Sequence, residues 1–316
     1  MLMSIDCVSI KRKQIVLNLD TAHWKKYYIF YHKKKVLLMF STWLIKGDCH
    51  GDFNWMFNGC LGSHEPEQTA IIVLGDFGVN YYLNKTDWRK KKELNDREYT
   101  FYVVRGNHEA RPQDVFGMIK RFDENVHGTV YIEPEFPNIR YFLDYGLYDI
   151  AGYTCFVIGG AYSVDKHWRL MRAGMTEETN DPKKTGWFTN EQLTKEEMAE
   201  AEKQLYNFTN TGKCIDFIFT HTCPHEWEPA DLFLGAIDQC SVDKSMETWM
   251  DKVKDICNWH VWLFGHYHAD RLERPHVEMF YKDLDTLENI HARWRHYDRT
   301  GEFPWWLRKS PMFYAT

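Results

Sequence analysis

Seven side chains in this sequence offer the same kind of chemistry. Asp48, His50, Asp76, Asn107, His221, His266 and His268 all present oxygen or nitrogen donors. They sit in five short stretches: Gly47-Asp48-Cys49-His50-Gly51, Gly75-Asp76, Gly106-Asn107-His108-Glu109, Thr220-His221-Thr222-Cys223-Pro224 and Gly265-His266-Tyr267-His268. No thiolate is needed, so the set favours Mn, Fe, Zn, Co or Mg over a soft ion. Seven donors exceed what one tetrahedral ion takes. They suit two divalent ions that share a bridging carboxylate. Such a pair, ~3.5–4 Å apart, can clamp attacking and leaving oxygens and lower the pKa of a bound water.

Taken singly, each piece has an ordinary explanation. Asp76 and Asn107 after glycines suit turns, His50 suits a surface loop, and His221 before Thr-x-Pro suits a cap. Their recurrence in order, each time past an apolar run, makes them a set.

Donors so far apart in the chain need strand ends to bring them together. Apolar and β-branched runs predict strands at 36–47, 69–74, 99–104, 129–132, 139–150, 153–159, 214–219, 259–264 and 277–281. Helices are expected at 52–59, 86–98, from Pro112 to about Phe122, from a Thr189 cap to about Tyr206, at 242–257 and near 285–298. Residues 163–188 read as a long loop. Five of the runs end in a short loop bearing Asp, Asn or His, and strand ends of α/β sheets are where sites are built. No internal repeat or low-complexity linker interrupts the pattern. Residues 39–316 therefore read as one domain with a Trp-rich C-terminal extension. Residues 1–38 read as a basic, aromatic N-terminal arm, solvated and poorly ordered.

The bulk numbers bound the answer. With 316 residues and 44% hydrophobic content, a large core is within reach. A net charge of −6 argues against a surface given over to nucleic acid. Cys7, Cys49, Cys60, Cys155, Cys214, Cys223, Cys240 and Cys257 form no C-x-x-C pair, which fits a reduced, cytoplasmic protein. No run reaches the ~18–20 apolar residues of a membrane span. Val36–Ile45 after three lysines superficially resembles a secretion signal, but no small-residue cleavage site follows.

The five stretches, in this order from about residue 40 to 270, resemble those of the calcineurin-like metallophosphoesterase superfamily. The resemblance implies an α/β fold, a four-layer α/β/β/α sandwich of two mixed sheets. It implies that Asp48, His50 and His268 hold a first metal, that Asn107, His221 and His266 hold a second, and that Asp76 bridges. A hydroxide between the ions would attack phosphorus in line. His108 would stand opposite, stabilising phosphoryl oxygens or protonating the leaving oxygen. Glu109 would orient His108 or cap a helix.

Arg105-Gly-Asn-His-Glu echoes the Ser/Thr protein phosphatases. The Asp-Arg-Gly of their second motif has no counterpart here, since Asp76 runs into Phe77-Gly78-Val79-Asn80. The expectation is therefore the broader phosphoesterase branch, acting on phosphomonoesters or phosphodiesters. For substrate grip, Arg111 and Tyr162 are the preferred pair among Arg111, Tyr162, Arg169, Arg172, His225 and Arg271. Two other readings compete: a nuclease or nucleotide phosphodiesterase, motivated by the basic arm, and a non-catalytic scaffold on the same fold. The scaffold is disfavoured because neither His108 nor any ligand candidate is lost.

Overall fold

Alternation of apolar residues divides the central strands into two buried faces, and that division builds the layers. The computed structural model describes residues 40–57, 61–62 and 64–304. The expected N-terminal arm and the Trp-rich end lie outside the described residues.

In chain order the strands are β1 (Thr42–Lys46), β2 (Thr69–Val73), β3 (Thr100–Val103), β4 (Ile119–Asp123), β5 (Gly128–Ile132), β6 (Ile139–Phe142), β7 (Tyr145–Ile150), β8 (Tyr153–Ile158), β9 (Ile215–Thr220), β10 (Trp259–Phe264), β11 (Arg271–Arg274), β12 (Val277–Met279) and β13 (Leu284–Thr286). They form two mixed sheets, ordered β13-β1-β2-β3-β6-β5-β4 and β11-β12-β10-β9-β8-β7. The centres are parallel: β1, β2, β3 and β6 in the first, β8, β9, β10 and β12 in the second. The remaining pairings are antiparallel.

The helices are α1 (Lys85–Asn95), α2 (Lys166–Ala173), α3 (Pro182–Thr185), α4 (Lys195–Thr209), α5 (Ser245–Ile256) and α6 (Leu287–Thr300). Between the sheets, Trp43, Ile45, Ile72 and Tyr102 meet Val157, Phe217, Phe219 and Leu263. On the outer face of the first sheet, Leu44, Ile71 and Val103 pack with Leu94 of α1. On the outer face of the second, Phe156, Ile218 and Trp262 pack with Ala201 of α4 and Met250 of α5. The period of two in the strands thus yields a four-layer α/β/β/α sandwich. Leu287, Ile290 and Trp294 of α6 join the core between the sheets.

Several boundaries differ from expectation. After a single 3₁₀ turn at Pro112–Asp114, the predicted helix gives way to β4. Ladder pairing with β5 from Ile119↔Ile132 to Asp123↔Gly128 decides that segment. The run 139–150 splits into two strands in different sheets, with the break at Asp144, whose carboxylate accepts from Arg105 Nε at 2.6 Å. The expected loop 163–188 carries α2 and α3. The helix expected from Thr189 begins at Lys195, because Thr194 and Glu197 form a capping box there. At 52–59 only a 3₁₀ turn, Asn54–Met56, forms among the described residues. The short strands β11 and β13 carried no pattern that foretold them.

Candidate metal centre

Five of the parallel strands deliver their C-terminal ends to one place. β1 leads into Asp48 and His50, β2 into Asp76, β3 into Asn107 and His108, β9 into His221, and β10 into His266 and His268. All seven expected ligands and His108 come together there.

The glycines of the motifs explain how the ends approach so closely. A Cβ on Gly106 would stand 2.1 Å from Asp76 Oδ1, and one on Gly265 would stand 2.3 Å from Asp48 Oδ1. Each loop therefore presses its bare backbone against a carboxylate of its neighbour. The backbone also adopts left-handed geometry at His50 (φ 48°), Asp76 (48°), His266 (70°) and His268 (56°). Such conformations cost about 1–3 kcal/mol each and persist only where surrounding contacts impose them. Here Cys49 and His50 N–H donate to Asp76 O at 3.1 and 2.7 Å, and Gly265 N–H donates to His221 O at 3.0 Å.

The donors form two groups. Asp48 Oδ2 lies 3.3 Å from His268 Nε2 and 3.8 Å from His50 Nε2, and those two nitrogens are 2.8 Å apart. In the other group His221 Nε2 lies 2.9 Å from Asn107 Oδ1, and the His221 and His266 rings are 5.0 Å apart. Asp76 stands between the groups. Its Oδ1 is 3.5 Å from His221 Nε2, and its Oδ2 is 3.8 Å from His50 Nε2. Asp48 and Asp76 are buried, while His50 and His268 open to solvent at the mouth.

The protein alone leaves this arrangement unsatisfied. Asp48 Oδ2 is buried with no hydrogen-bond partner, which is costly for a carboxylate oxygen unless something else contacts it. Burial would raise the Asp48 and Asp76 carboxyls, but the surrounding histidines outweigh it and hold both below the usual range, Asp76 far below. Burial likewise opposes protonation of His221, yet Asp76 and Asp48 lift it to about 9. Two ionised buried acids with nitrogen donors converging on them are a fitting set for divalent cations. Triads with ligand atoms within 4.8 Å include Asp48–His50–His268 and Asp48–Asp76–His221.

His108 N–H donates to Asp76 Oδ1 at 2.8 Å, and its Nε2 lies 3.9 Å from Asp76 Oδ2. Burial pulls its imidazole down to about 4, against the upward pull of Asp76, and the Arg169 guanidinium adds to the lowering. Arg169 Nη2 stands 2.8 Å from each ring nitrogen. Glu109 folds back to accept from Gly106 N–H at 3.0 Å, so it braces its own loop. Cys49 is buried beside the cluster, and burial pushes its thiol up to about 12.

Arg111 is not at the site. It is buried, and its guanidinium is spent on Glu197 at 2.5 and 3.0 Å, Asp144 at 2.9 Å, and the carbonyls of Asn190 and Gln192 at 2.7 Å each. It ties the loops before α4 to the break between β6 and β7. Arg271 is likewise engaged, by Asp231 and Glu273, and His225 pairs with Glu228. Tyr162 does reach the site: with Asp76, Asn107, His108 and His268 it lines a cavity of about 400 Å³.

Sequence reasoning missed Ser163 and Glu191. Asn107 Nδ2 donates to Ser163 Oγ at 2.8 Å, and Ser163 Oγ donates to Glu191 Oε2 at 2.5 Å. Since the amide nitrogen is held by Ser163, the amide oxygen is turned toward His221. The only signal was position: Ser163 closes the loop that follows β8, another parallel strand end.

A calcineurin-like phosphoesterase family model matches residues 41–270. The chain belongs to the calcineurin-like phosphoesterase family. Members hydrolyse phosphoesters with the help of metal, and the donor cluster of this phosphoesterase lies wholly within the matched segment. A phosphopantetheinyl hydrolase (PptH) from Mycobacterium tuberculosis is similar at 12% identity and TM-score 0.34, over 86% of this chain and 94% of that one. A sulfate thiohydrolase (SoxB) from Termus thermophilus is similar at 12% identity and TM-score 0.30, over 74% of this chain and 43% of that one. No curated protein matches the phosphoesterase chain. Among its described residues no helix is long and apolar enough to cross a membrane.

Proposed function

We propose that this phosphoesterase hydrolyses phosphomonoesters or phosphodiesters at a dinuclear centre. Asp48, His50 and His268 would hold one divalent ion, Asn107, His221 and His266 would hold the other, and Asp76 would be shared between them. The observation that carries this reading is the stance of Asp76, one oxygen toward His221 and the other toward His50. Two bound ions supply a water of lowered pKa as nucleophile and offset the charge that builds on the phosphoryl oxygens.

The chain's own groups do the rest. The water oxygen bonds to phosphorus, the ester P–O bond breaks, and the leaving oxygen takes up a proton. His108 lines the cavity beside Asp76, within reach of phosphoryl or leaving oxygens. Burial and the Arg169 guanidinium beside both ring nitrogens disfavour a charged imidazole, which leaves His108 suited to hydrogen-bonding. Ser163 and Glu191 keep the Asn107 oxygen aimed inward, and Tyr162 walls the substrate cavity.

The test is a titration of metal-free protein with Mn, read by elemental analysis and by hydrolysis of p-nitrophenyl phosphate. Two equivalents bound, with turnover rising at the second, is the expected result. Full turnover by Asp76→Asn at one equivalent would remove the bridging role.

A further inference from the structure

His108 separates two cavities of opposite character. On one side Leu232, Phe233, Leu234 and Ile237 make an apolar wall. On the other, a space of about 240 Å³ is lined by His50, His108, Lys90, Tyr81 and Tyr82. Tyr81 and Tyr82 also line a further cavity of about 400 Å³, whose wall carries Trp168, Arg169, Arg172, Lys183 and Lys184. The two spaces share those tyrosines, so the basic cavity adjoins the space lined by His50 and His108.

The charge in that cavity is one-sided. Its lining holds four cationic residues against one carboxylate, Asp165. Asp165 is already paired with Arg169 at 2.8 Å. Nearby, Asp181 accepts from Lys183 N–H at 3.1 Å and lies 3.8 Å from Lys184 Nζ in an exposed pair, which is worth little. The Arg172 guanidinium lies 5.2 Å from the Trp168 ring and is otherwise presented to solvent. Arg169 links the two spaces: it lines the basic cavity and touches His108. Convergent Arg and Lys donors with aromatic walls suit a phosphate group.

We propose that the cavity between α2 and α3 is a subsite for a second phosphate of the substrate. This enzyme would then act on a small organic molecule bearing two phosphates, one cleaved at the metal centre and one held by Arg172, Lys183 and Lys184. The inference rests on the hydrolase reading and deepens it.

The experiment compares α,ω-alkanediol bisphosphates with n-alkyl phosphates of matched chain length, using the full chain at fixed free Mn and measuring released phosphate. At the best length the bisphosphate is favoured by about tenfold or more in kcat/KM, carried by KM. The ratio falls toward one in the Arg172→Ala, Lys183→Ala, Lys184→Ala triple variant. Because both substrates meet the same preparation, a partly folded variant cancels from the ratio. A ratio of one at every length, or one retained in the triple variant, overturns the subsite. Turnover of p-nitrophenyl phosphate alone, with neither alkyl series accepted, overturns the subsite and leaves the hydrolase intact. No turnover of any ester defeats the hydrolase reading and the subsite with it. Cleavage of single-stranded DNA that drops in the triple variant, without a bisphosphate preference, gives the cavity to polynucleotide and overturns the proposal.

Discussion

Two clusters of acids in this molecule, each built on a buried carboxylate, are settled in opposite ways. Glu278 and Asp285 flank Arg293, whose Nε donates to Glu278 at 2.8 Å, and Trp294 Nε1 donates to the same carboxylate at 2.5 Å. The guanidinium is permanently charged, and its fork answers both acids. Asp48 and Asp76, by contrast, face imidazoles. Among the described residues neither pairs with Lys or Arg, and Asp48 Oδ2 accepts no hydrogen bond, with only the His268 and His50 imidazoles near it. The backbones differ too: Glu278, Asp285 and Arg293 sit in regular elements, whereas Asp76, His50, His266 and His268 sit in left-handed turns. A cluster that serves folding carries its own cation; one that leaves a place for a cation bears unmet charge and strain.

Substitutions can break or sharpen that contrast. The largest effect expected is from Asp76→Asn, which abolishes p-nitrophenyl phosphate turnover while costing the metal-free fold less than any change at Arg293. Equal destabilisation by the two would erase the distinction. His108→Ala lowers kcat by about 10²–10³-fold, with elemental analysis still finding the wild-type metal content. Arg293→Met strands Glu278 and Asp285 and lowers stability by about 3–5 kcal/mol in denaturant unfolding; the folded fraction keeps its metal and its specific activity. Ser163→Ala frees the Asn107 amide and weakens metal affinity by about 10–100-fold, a defect that excess Mn recovers.

The smallest expected effect is a change of slope. Burial raises the Glu191 carboxyl to about 7, above its ordinary 4.5. Between those values the folded state binds the extra proton, so this group's contribution to stability is lost as pH rises through that window. Glu191→Gln flattens the dependence of metal-free stability on pH between about 4.5 and 7. An unchanged slope would show that another buried acid dominates.

How legible the molecule was in its sequence depended on what kind of force fixed each part. β2, β3, β8 and β10 were readable because short apolar runs bounded by glycine or charge have few other uses. β4 was not, since Lys120 and Arg121 are solvent-facing on an edge strand and only pairing with β5 makes them extended. The helix starts at the Thr194 capping box, a local signal, and not at the Thr189 cap that the sequence also suggested. Arg111 looked like a substrate grip from its place two residues past Glu109. Its partners Asp144 and Glu197 lie far along the chain, and nothing local announced them.

The sequence by itself determined which donors exist, their order, and the glycines that must flank them, because covalent spacing and residue chemistry are local properties. It also determined the α/β alternation that puts such donors at strand ends. Only the tertiary structure decided that Asp76 faces both ligand groups, that Ser163 holds the Asn107 amide, and that Arg169, not Arg111, stands against His108. Those outcomes depend on packing between segments distant in the chain, where position is set by the whole core and not by neighbours in sequence.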